Sequence, residues 1–337
     1  MTEQQKLPIA VLGAGSWGTA LAYLLNGRGF PVKLWSRHEK AAENLTRLQE
    51  NVKYLPDVAL SDVRVSPDLS RVLEGCKRIV VAVPGAAVME LAEQMRTLLL
   101  PDSIVISGTK GLHPEKGLRP AQIWEDVAGL PLGRYAALSG PNLAGEIVTG
   151  VPTSTVVAAI DENVARDAQS LFSSPTFRVY TNDDLVGVEL GGALKNVVAI
   201  AAGIGDGFGF GDNSKAALLT RAWHEMTRLA TALGARQSTL YGLSGLGDLF
   251  ATASSTKSRN HQLGVLLARG ESLNQAQNEI AQVAEGVHTT RAAMRLAKQY
   301  DVALPVTEQV AAVLFEGRDP REAVEQLMNR EGCSETS

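Results

Sequence analysis

Lys195 stands inside Gly191-Gly192-Ala193-Leu194-Lys195-Asn196-Val197-Val198-Ala199-Ile200, a run whose other members are almost all small or apolar. Burial disfavours an ammonium ion, and a second cation such as Lys110 nearby would lower its proton affinity further, giving an amine that exchanges a proton near neutral pH. A lysine that snorkels out of a core helix would read the same way. Lys110 belongs to Thr109-Lys110-Gly111, just past an apolar run at 104–107. That is the carboxyl end of a strand, where open parallel sheets place ligands, although an exposed loop lysine also fits. Ser139-Gly140-Pro141-Asn142 repeats this placement ahead of a helical stretch over 143–148, as a site for an anion or a hydroxyl group. Gly245-Leu246-Gly247-Asp248 reads as a polar loop. In the loop 254–260, Ser258, Arg259 and Asn260 combine hydroxyl, guanidinium and amide at a helix start, the groups that grip a phosphate. A basic surface turn is the plainer alternative.

Gly13-Ala14-Gly15-Ser16-Trp17-Gly18 directly follows one strand-like run and opens a helix, which is the required setting for the dinucleotide-binding pattern G-x-G-x-x-G. Gly13 permits the tight turn, Gly15 lets backbone approach a pyrophosphate, and Gly18 lets helix and strand pack closely. At the end of the second strand an acidic residue roughly 20 positions on would hold the ribose hydroxyls of NAD. Here Trp35-Ser36-Arg37-His38 occupies that place, and a guanidinium can pair with a 2′-phosphate. The pattern favours NADP(H) and leaves NAD(H) open, with Glu39 within reach of a ribose.

These groups need a scaffold, and the pattern of the chain supplies one. Strand-like runs at 9–12, 32–35, 79–83, 104–107, 136–139, 153–159 and 177–180 alternate with amphipathic stretches such as 16–26 and 162–172, the signature of a doubly wound α/β domain. From residue 185 the texture is helical, with patterns over 188–202, 214–233, 261–268, 273–283, 289–300, 306–316 and 321–329. Pro305 and Pro320 suit first helical turns, Gly234, Gly270 and Gly317 suit helix ends, and the glycines of 205–211 suit a connection between helices. The expected domains are 1–186, a dinucleotide-binding α/β sheet, and 187–337, all helical.

Composition narrows the function. Lysine and arginine total 32 against 36 acidic residues, a net charge of −4, which excludes a general electrostatic grip on nucleic acid. Cys76 and Cys333 form neither a disulfide framework nor zinc spacing, and the five histidines include no H-x-x-x-H pair, so no metal site is expected. Neither an export signal nor an apolar stretch of membrane length is legible, so a cytoplasmic protein without membrane insertion is expected.

Taken in order, GAGSWG, TKGL, SGPN, GGALKN, GLGD and SRN resemble the bacterial NAD(P)-dependent glycerol-3-phosphate dehydrogenases, from about residue 9 to about residue 330. The resemblance implies a Rossmann-type domain, a helical domain like that of 6-phosphogluconate dehydrogenase, a homodimer, and interconversion of dihydroxyacetone phosphate and sn-glycerol 3-phosphate for glycerophospholipid synthesis. It further implies that Gly13, Gly15, Ser16, Trp17, Gly18, Arg37, His38, Tyr54 and Ala144 line the NADP(H) or NAD(H) site. Val283 and Glu285 would close over that cofactor, with Arg259 near it. Lys110 would touch cofactor and substrate, and Lys195 would be the proton acceptor. Gly140, Asn142, Asp248, Ser258, Arg259 and Asn260 would bind substrate. Asn142 stands where other members carry Ser or Thr. Two rivals share these features: a related hydroxy-acid dehydrogenase or imine reductase, which has no need of the Ser258-Arg259-Asn260 grip, and a non-catalytic NADPH sensor, which has no use for Lys195.

Overall fold

The computed structural model describes residues 6–280 and 283–330. Cys333 therefore lies outside the described residues. The chain forms two compact units. The first contains the described chain up to Lys110 together with Leu118–Glu189, and the second contains Gly111–Gly117 and the described chain from Leu190 on. A single break after residue 186 was expected from the sequence.

In the first unit, β1 (Ile9–Leu12), β2 (Val32–Trp35), β5 (Val63–Ser66), β6 (Arg78–Val81), β7 (Ile104–Ser107), β8 (Tyr135–Ser139), β9 (Thr153–Ala159) and β10 (Phe177–Asn182) form one sheet. Its order is β10-β9-β8-β7-β6-β1-β2-β5. The strands β3 (Glu50–Asn51) and β4 (Leu55–Ala59) form a separate antiparallel hairpin. Central strands such as IAVL in β1 are buried throughout, as parallel strands covered by helices on both faces must be. Leu12 pairs with Trp35 on one side and Val81 on the other, so β1, β2 and β6 end level and their following loops converge. The chain leaves β1 for β2 on one side and returns as β6 on the other, which opens a crevice beyond the end of β1. Leu21, Leu25, Val80, Ile106, Phe172 and Phe177 belong to the core under these strands.

One pair departs from the all-parallel pattern that the alternating elements suggest: β9 runs antiparallel to β8. The link between them holds only the five-residue helix Ala144–Val148, which packs on helix Ser16–Gly27 instead of carrying the chain back along the sheet.

The helix Leu185–Gly207 starts in the first unit and continues into the second. At its start the buried Glu189 carboxylate accepts from Arg119 Nη1 at 2.7 Å, the Ala121 amide at 2.9 Å and the Tyr135 hydroxyl at 2.8 Å. Burial raises its carboxyl above the ordinary range, and the Arg119 charge works against that rise. This helix corrects the reading that no apolar stretch reaches membrane length: it has 23 residues and a mean hydropathy of 1.5 over its most apolar window. That window is 94% buried inside the protein, so its apolar residues are core. It also absorbs Gly205 and Gly207, which the sequence places in a connection, while the pattern expected over 273–283 forms a helix over Leu273–Ile280.

In the second unit, helices Asp212–Ala232, Glu285–Tyr300 and Pro305–Phe315 pack on one another, and Pro320–Met328 packs on Pro305–Phe315 and Arg259–Ala268. Pro305 and Pro320 take the first helical turn, and Gly234, Gly270 and Gly317 have positive φ past helix ends.

Glu225, on helix Asp212–Ala232, accepts from the Val306 amide at 2.6 Å and from the Thr307 amide and hydroxyl at 3.2 Å each. Burial pushes its carboxyl up to about 7 from an ordinary 4.5, against those hydrogen bonds. The native state then binds this proton more tightly than the unfolded chain, so its contribution to stability is full below pH 4.5 and is lost as the pH rises through 7. Glu225→Gln is expected to flatten the urea-unfolding stability profile across that window, where the wild type loses about 3 kcal/mol by this route. An equally steep profile in the variant would contradict the assignment.

Candidate active site

In the first unit the glycine turn follows β1 directly. Gly13 has φ +113°, and a Cβ there would lie 2.6 Å from the Ala82 carbonyl oxygen, while a Cβ on Gly18 would collide with the Gly13 carbonyl. Both glycines are therefore fixed by packing. Gly15 differs: a Cβ there meets no atom within 4 Å, so the fold itself does not require glycine at this position. Gly15 also N-caps helix Ser16–Gly27 with no side-chain hydrogen bond and no acidic residue in the first turn. The leading N–H groups and the helix dipole are thus set to meet an anion such as a pyrophosphate.

The hairpin β3–β4 buttresses this turn. Ser16 Oγ donates to the Tyr54 carbonyl at 2.8 Å, and the buried Asn51 donates to the Ala14 carbonyl at 2.9 Å and to Thr19 Oγ1 at 2.7 Å. Asn51 carries no signal in the sequence, because its role depends on a contact between segments far apart in the chain. Trp17, Ala144 and Val148 pack on one small cluster around Ala20, Leu55 and Val58. The Trp17 indole N–H is buried without a hydrogen-bond partner, and Gly108 leaves room for it, since a Cβ there would sit 2.6 Å from Trp17 Nε1.

Arg37 and His38 are exposed immediately beyond β2, with no carboxylate at the strand end itself, and Glu39 opens the next helix. An uncapped helix start, a glycine with open space above it, an unpartnered indole N–H and a guanidinium at the ribose position together fit a nicotinamide dinucleotide.

At the ends of β7 and β8, Lys110 Nζ donates to the Gly140 carbonyl at 2.6 Å, which brings two expected site residues together. Gly140 has φ +140°, a conformation that favours glycine. Asn142 Oδ1 accepts from Thr155 Oγ1 at 3.0 Å, leaving its Nδ2 buried without a partner.

In the second unit, Lys195 is 6% exposed and Asp248 1%. Lys195 Nζ lies 2.5 Å from Asp248 Oδ1 and 2.7 Å from Thr252 Oγ1, and Thr252 Oγ1 donates to the same carboxylate oxygen at 3.2 Å. The sequence invoked a neighbouring cation to tune Lys195; the partners found within this unit are an acid and a hydroxyl. Asp248, expected among the substrate-binding groups, commits an oxygen to this pair.

Thr252 gives no sequence signal except its place one helical turn after Asp248. Gly245-Leu246-Gly247-Asp248 is not the loop expected. It is the end of a π-helical turn, Leu243–Gly247, running into helix Asp248–Ser254. Glycines are poor helix formers, which is why the segment reads as a loop. Here they permit contact, since a Cβ on Gly191 would lie 2.8 Å from the Ser244 carbonyl and one on Gly245 would strike Leu240. That close crossing sets Asp248 against Lys195.

Asn260 Nδ2 donates to Asn196 Oδ1 at 2.9 Å. Ser258 caps helix Arg259–Ala268 by accepting from the His261 amide at 3.4 Å, and Arg259 is the first residue of that helix. Val283 is exposed, and Glu285 opens helix Glu285–Tyr300. Among the described residues, no cluster of three or more His, Cys, Asp or Glu side chains could hold a metal ion.

Comparison with known proteins matches residues 8–165 to the N-terminal and 184–325 to the C-terminal model of the NAD-dependent glycerol-3-phosphate dehydrogenases. Glycerol-3-phosphate dehydrogenase (NAD(P)+) from Pelotomaculum thermopropionicum is 46% identical over 324 residues, covering 96% of this chain and 93% of the relative. The enzyme of the same name from Nitratidesulfovibrio vulgaris strain Hildenborough is 46% identical over 328 residues, covering 96% and 99%. The crystal structure of glycerol-3-phosphate dehydrogenase from Coxiella burnetii superposes with a TM-score of 0.93 at 38% identity, over 96% of this chain and 99% of that one. The chain belongs to the NAD(P)-dependent glycerol-3-phosphate dehydrogenase family and is an oxidoreductase.

Proposed function

We propose that the chain reduces dihydroxyacetone phosphate to sn-glycerol 3-phosphate with NADPH or NADH, supplying glycerophospholipid synthesis. The observation that carries this reading is the buried Lys195 ammonium held by Asp248 and Thr252. The bound nicotinamide supplies the hydride that reaches C2 of the ketone. Gly13, Gly15, Gly18, Ser16 and Trp17 hold the dinucleotide, with Arg37 and His38 at its adenosine end and Tyr54, Ala144, Val283 and Glu285 at its flanks.

Ser258, Arg259 and Asn260 take the substrate phosphate, whose charge suits a guanidinium at a helix start. Lys110, Gly140, Asn142 and Asn196 orient the ketone. Lys195 donates a proton from Nζ to the C2 oxygen as negative charge develops there, and Asp248 keeps the ammonium aimed while it does so. The amine regains its proton from solvent. In the oxidative direction the neutral amine takes the hydroxyl proton of C2 as a general base.

A substrate panel tests the assignment. Turnover of dihydroxyacetone phosphate, with none of a non-phosphorylated 2-keto acid, is the expected result, and the reverse preference would favour the hydroxy-acid enzyme. Arg37→Ala is expected to lower the ratio of kcat/KM for NADPH over NADH by about 10-fold, one lost charge-assisted contact; an unchanged ratio would remove Arg37 from the cofactor site. The reading extends to a cytoplasmic homodimer on the strength of the family resemblance, which light scattering on the purified protein checks for oligomeric state.

A further inference from the structure

Helix Leu185–Gly207, which carries Lys195, and helix Arg259–Ala268 meet backbone to backbone. A Cβ on Gly203 would strike the His261 carbonyl, one on Gly264 would strike the Ile200 carbonyl, and one on Gly207 would lie 2.6 Å from the Ala268 Cβ. A crossing made by glycines has few side-chain ridges to interlock, so packing sets only weakly how one helix is slid and turned on the other. Two polar contacts from adjacent residues set it instead. Asn260 Nδ2 donates to Asn196 Oδ1 at 2.9 Å, and His261 Nε2 lies 2.7 Å from Asp206 Oδ2. Asn196 and Asp206 stand ten residues apart, about 15 Å along their helix axis. Contacts that straddle a crossing so widely resist rotation as well as sliding.

The contact at Asp206 is built into the fold. His261 is 4% exposed. A carboxylate only accepts, so the His261 Nε2 carries a proton. Asp206 Oδ2 also accepts from Lys215 Nζ at 2.7 Å, which ties in helix Asp212–Ala232. Burial works against the charge on Asp206, and the hydrogen bonds from Lys215 and His261 outweigh it, holding the carboxyl below its ordinary range. Asp206 and Gly207 both belong to the glycine-rich stretch 205–211, so one short segment supplies the close approach and the contact that fixes it.

We propose that Asp206 and His261 are positioning residues for the reaction, which set the first turn of helix Arg259–Ala268 so that the Arg259 guanidinium meets the substrate phosphate. The proposal rests on the reading that Ser258, Arg259 and Asn260 take that phosphate. Arg259 stands two residues before His261 in the same turn, so a shift of that turn carries the guanidinium with it. Slipping a helix by one residue moves its backbone by about 1.5 Å and turns it by about 100°. Asp206 and His261 act through Arg259, with no contact to the reacting atoms.

The test is a double-mutant cycle on dihydroxyacetone phosphate reduction, read as kcat/KM and followed with enzyme in excess so that slow variants are still measured. His261→Leu is expected to lower kcat/KM on the order of 100-fold, as a displacement near 1 Å does, with most of the change in KM. In an Arg259→Ala background the same change should cost less than about 3-fold, because the group being positioned is gone. His261→Gln, whose amide NH2 reaches about as far as the imidazole Nε2, should restore most of kcat/KM. NADPH affinity and the unfolding midpoint establish that each variant is folded.

Asp206→Ala, at a carboxylate whose side chain is 27% exposed, runs the same cycle should the leucine variant not fold. An equal fall in kcat/KM in both backgrounds, or an unchanged kcat/KM in His261→Leu, would overturn the proposal. Arg259→Ala with an unchanged KM, or a wild type that turns over no dihydroxyacetone phosphate, would instead overturn the functional reading beneath it.

Discussion

Lys195→Ala is expected to lower kcat for dihydroxyacetone phosphate reduction by about 10²–10⁴-fold, the range that a positioned acid–base group contributes. NADPH affinity should change little, because the glycine turn proposed to hold the dinucleotide belongs to the first unit. Loss of the lysine also leaves the Asp248 carboxylate, 1% exposed, without its cation, and breaking a buried pair from one side costs about 3–5 kcal/mol of stability. Stability and chemistry separate in the double variant Lys195→Met/Asp248→Asn. Removing both charges should restore the unfolding midpoint while kcat stays at the low level. Recovery of turnover in that double variant would show that the pair serves the fold alone.

Gly15→Ala is expected to raise the dissociation constant for NADPH by at least about 30-fold, near 2 kcal/mol, the size of a steric misfit in a close-packed contact. The unfolding midpoint should move by no more than a degree or so, since a Cβ at 15 meets no protein atom within 4 Å. Alanine at 13 or 18 behaves differently, striking the backbone at Ala82 or at Gly13, so these two substitutions should lower stability along with affinity. The contrast among three glycines of one motif identifies which of them serves the ligand. A Gly15→Ala protein with unaltered NADPH affinity, measured by fluorescence titration, would remove the pyrophosphate from this turn.

Much of this architecture is legible in the sequence, for a physical reason. Buried strands are rich in β-branched and apolar residues, and the runs at 9–12, 32–35, 104–107 and 153–159 coincide with β1, β2, β7 and β9. Strands that do not meet that condition escape the pattern. β5 is Val63-Arg64-Val65-Ser66 at the edge of the sheet, partly polar and only half-buried, and β4 contains Pro56. The glycines at 245 and 247 read as a loop because helix propensity outweighed a requirement visible only in three dimensions, the close crossing with Gly191. Lys195 stands out because a charge interrupts an apolar helix, whereas Thr252 and Asn51 look like ordinary polar residues and acquire meaning from partners 57 and 37 positions away. Glu189 and Glu225 are hidden for a related reason. Glu225 falls in a helix with several other charged residues, where a glutamate reads as solvated, and Glu189 in its apolar helix acquires meaning only from Arg119, Ala121 and Tyr135 far away in the chain.

The most direct test of the central claim is the loss of nicotinamide absorbance when the purified protein meets dihydroxyacetone phosphate and NADPH, run beside Lys195→Ala at matched NADPH saturation. Rapid oxidation by the wild type, with a collapse of kcat in a variant that still binds NADPH, is the result expected if Lys195 transfers the proton to the C2 oxygen. A wild type that binds NADPH but leaves it unoxidised would contradict the substrate assignment. Equal rates in the two proteins would contradict the role of Lys195.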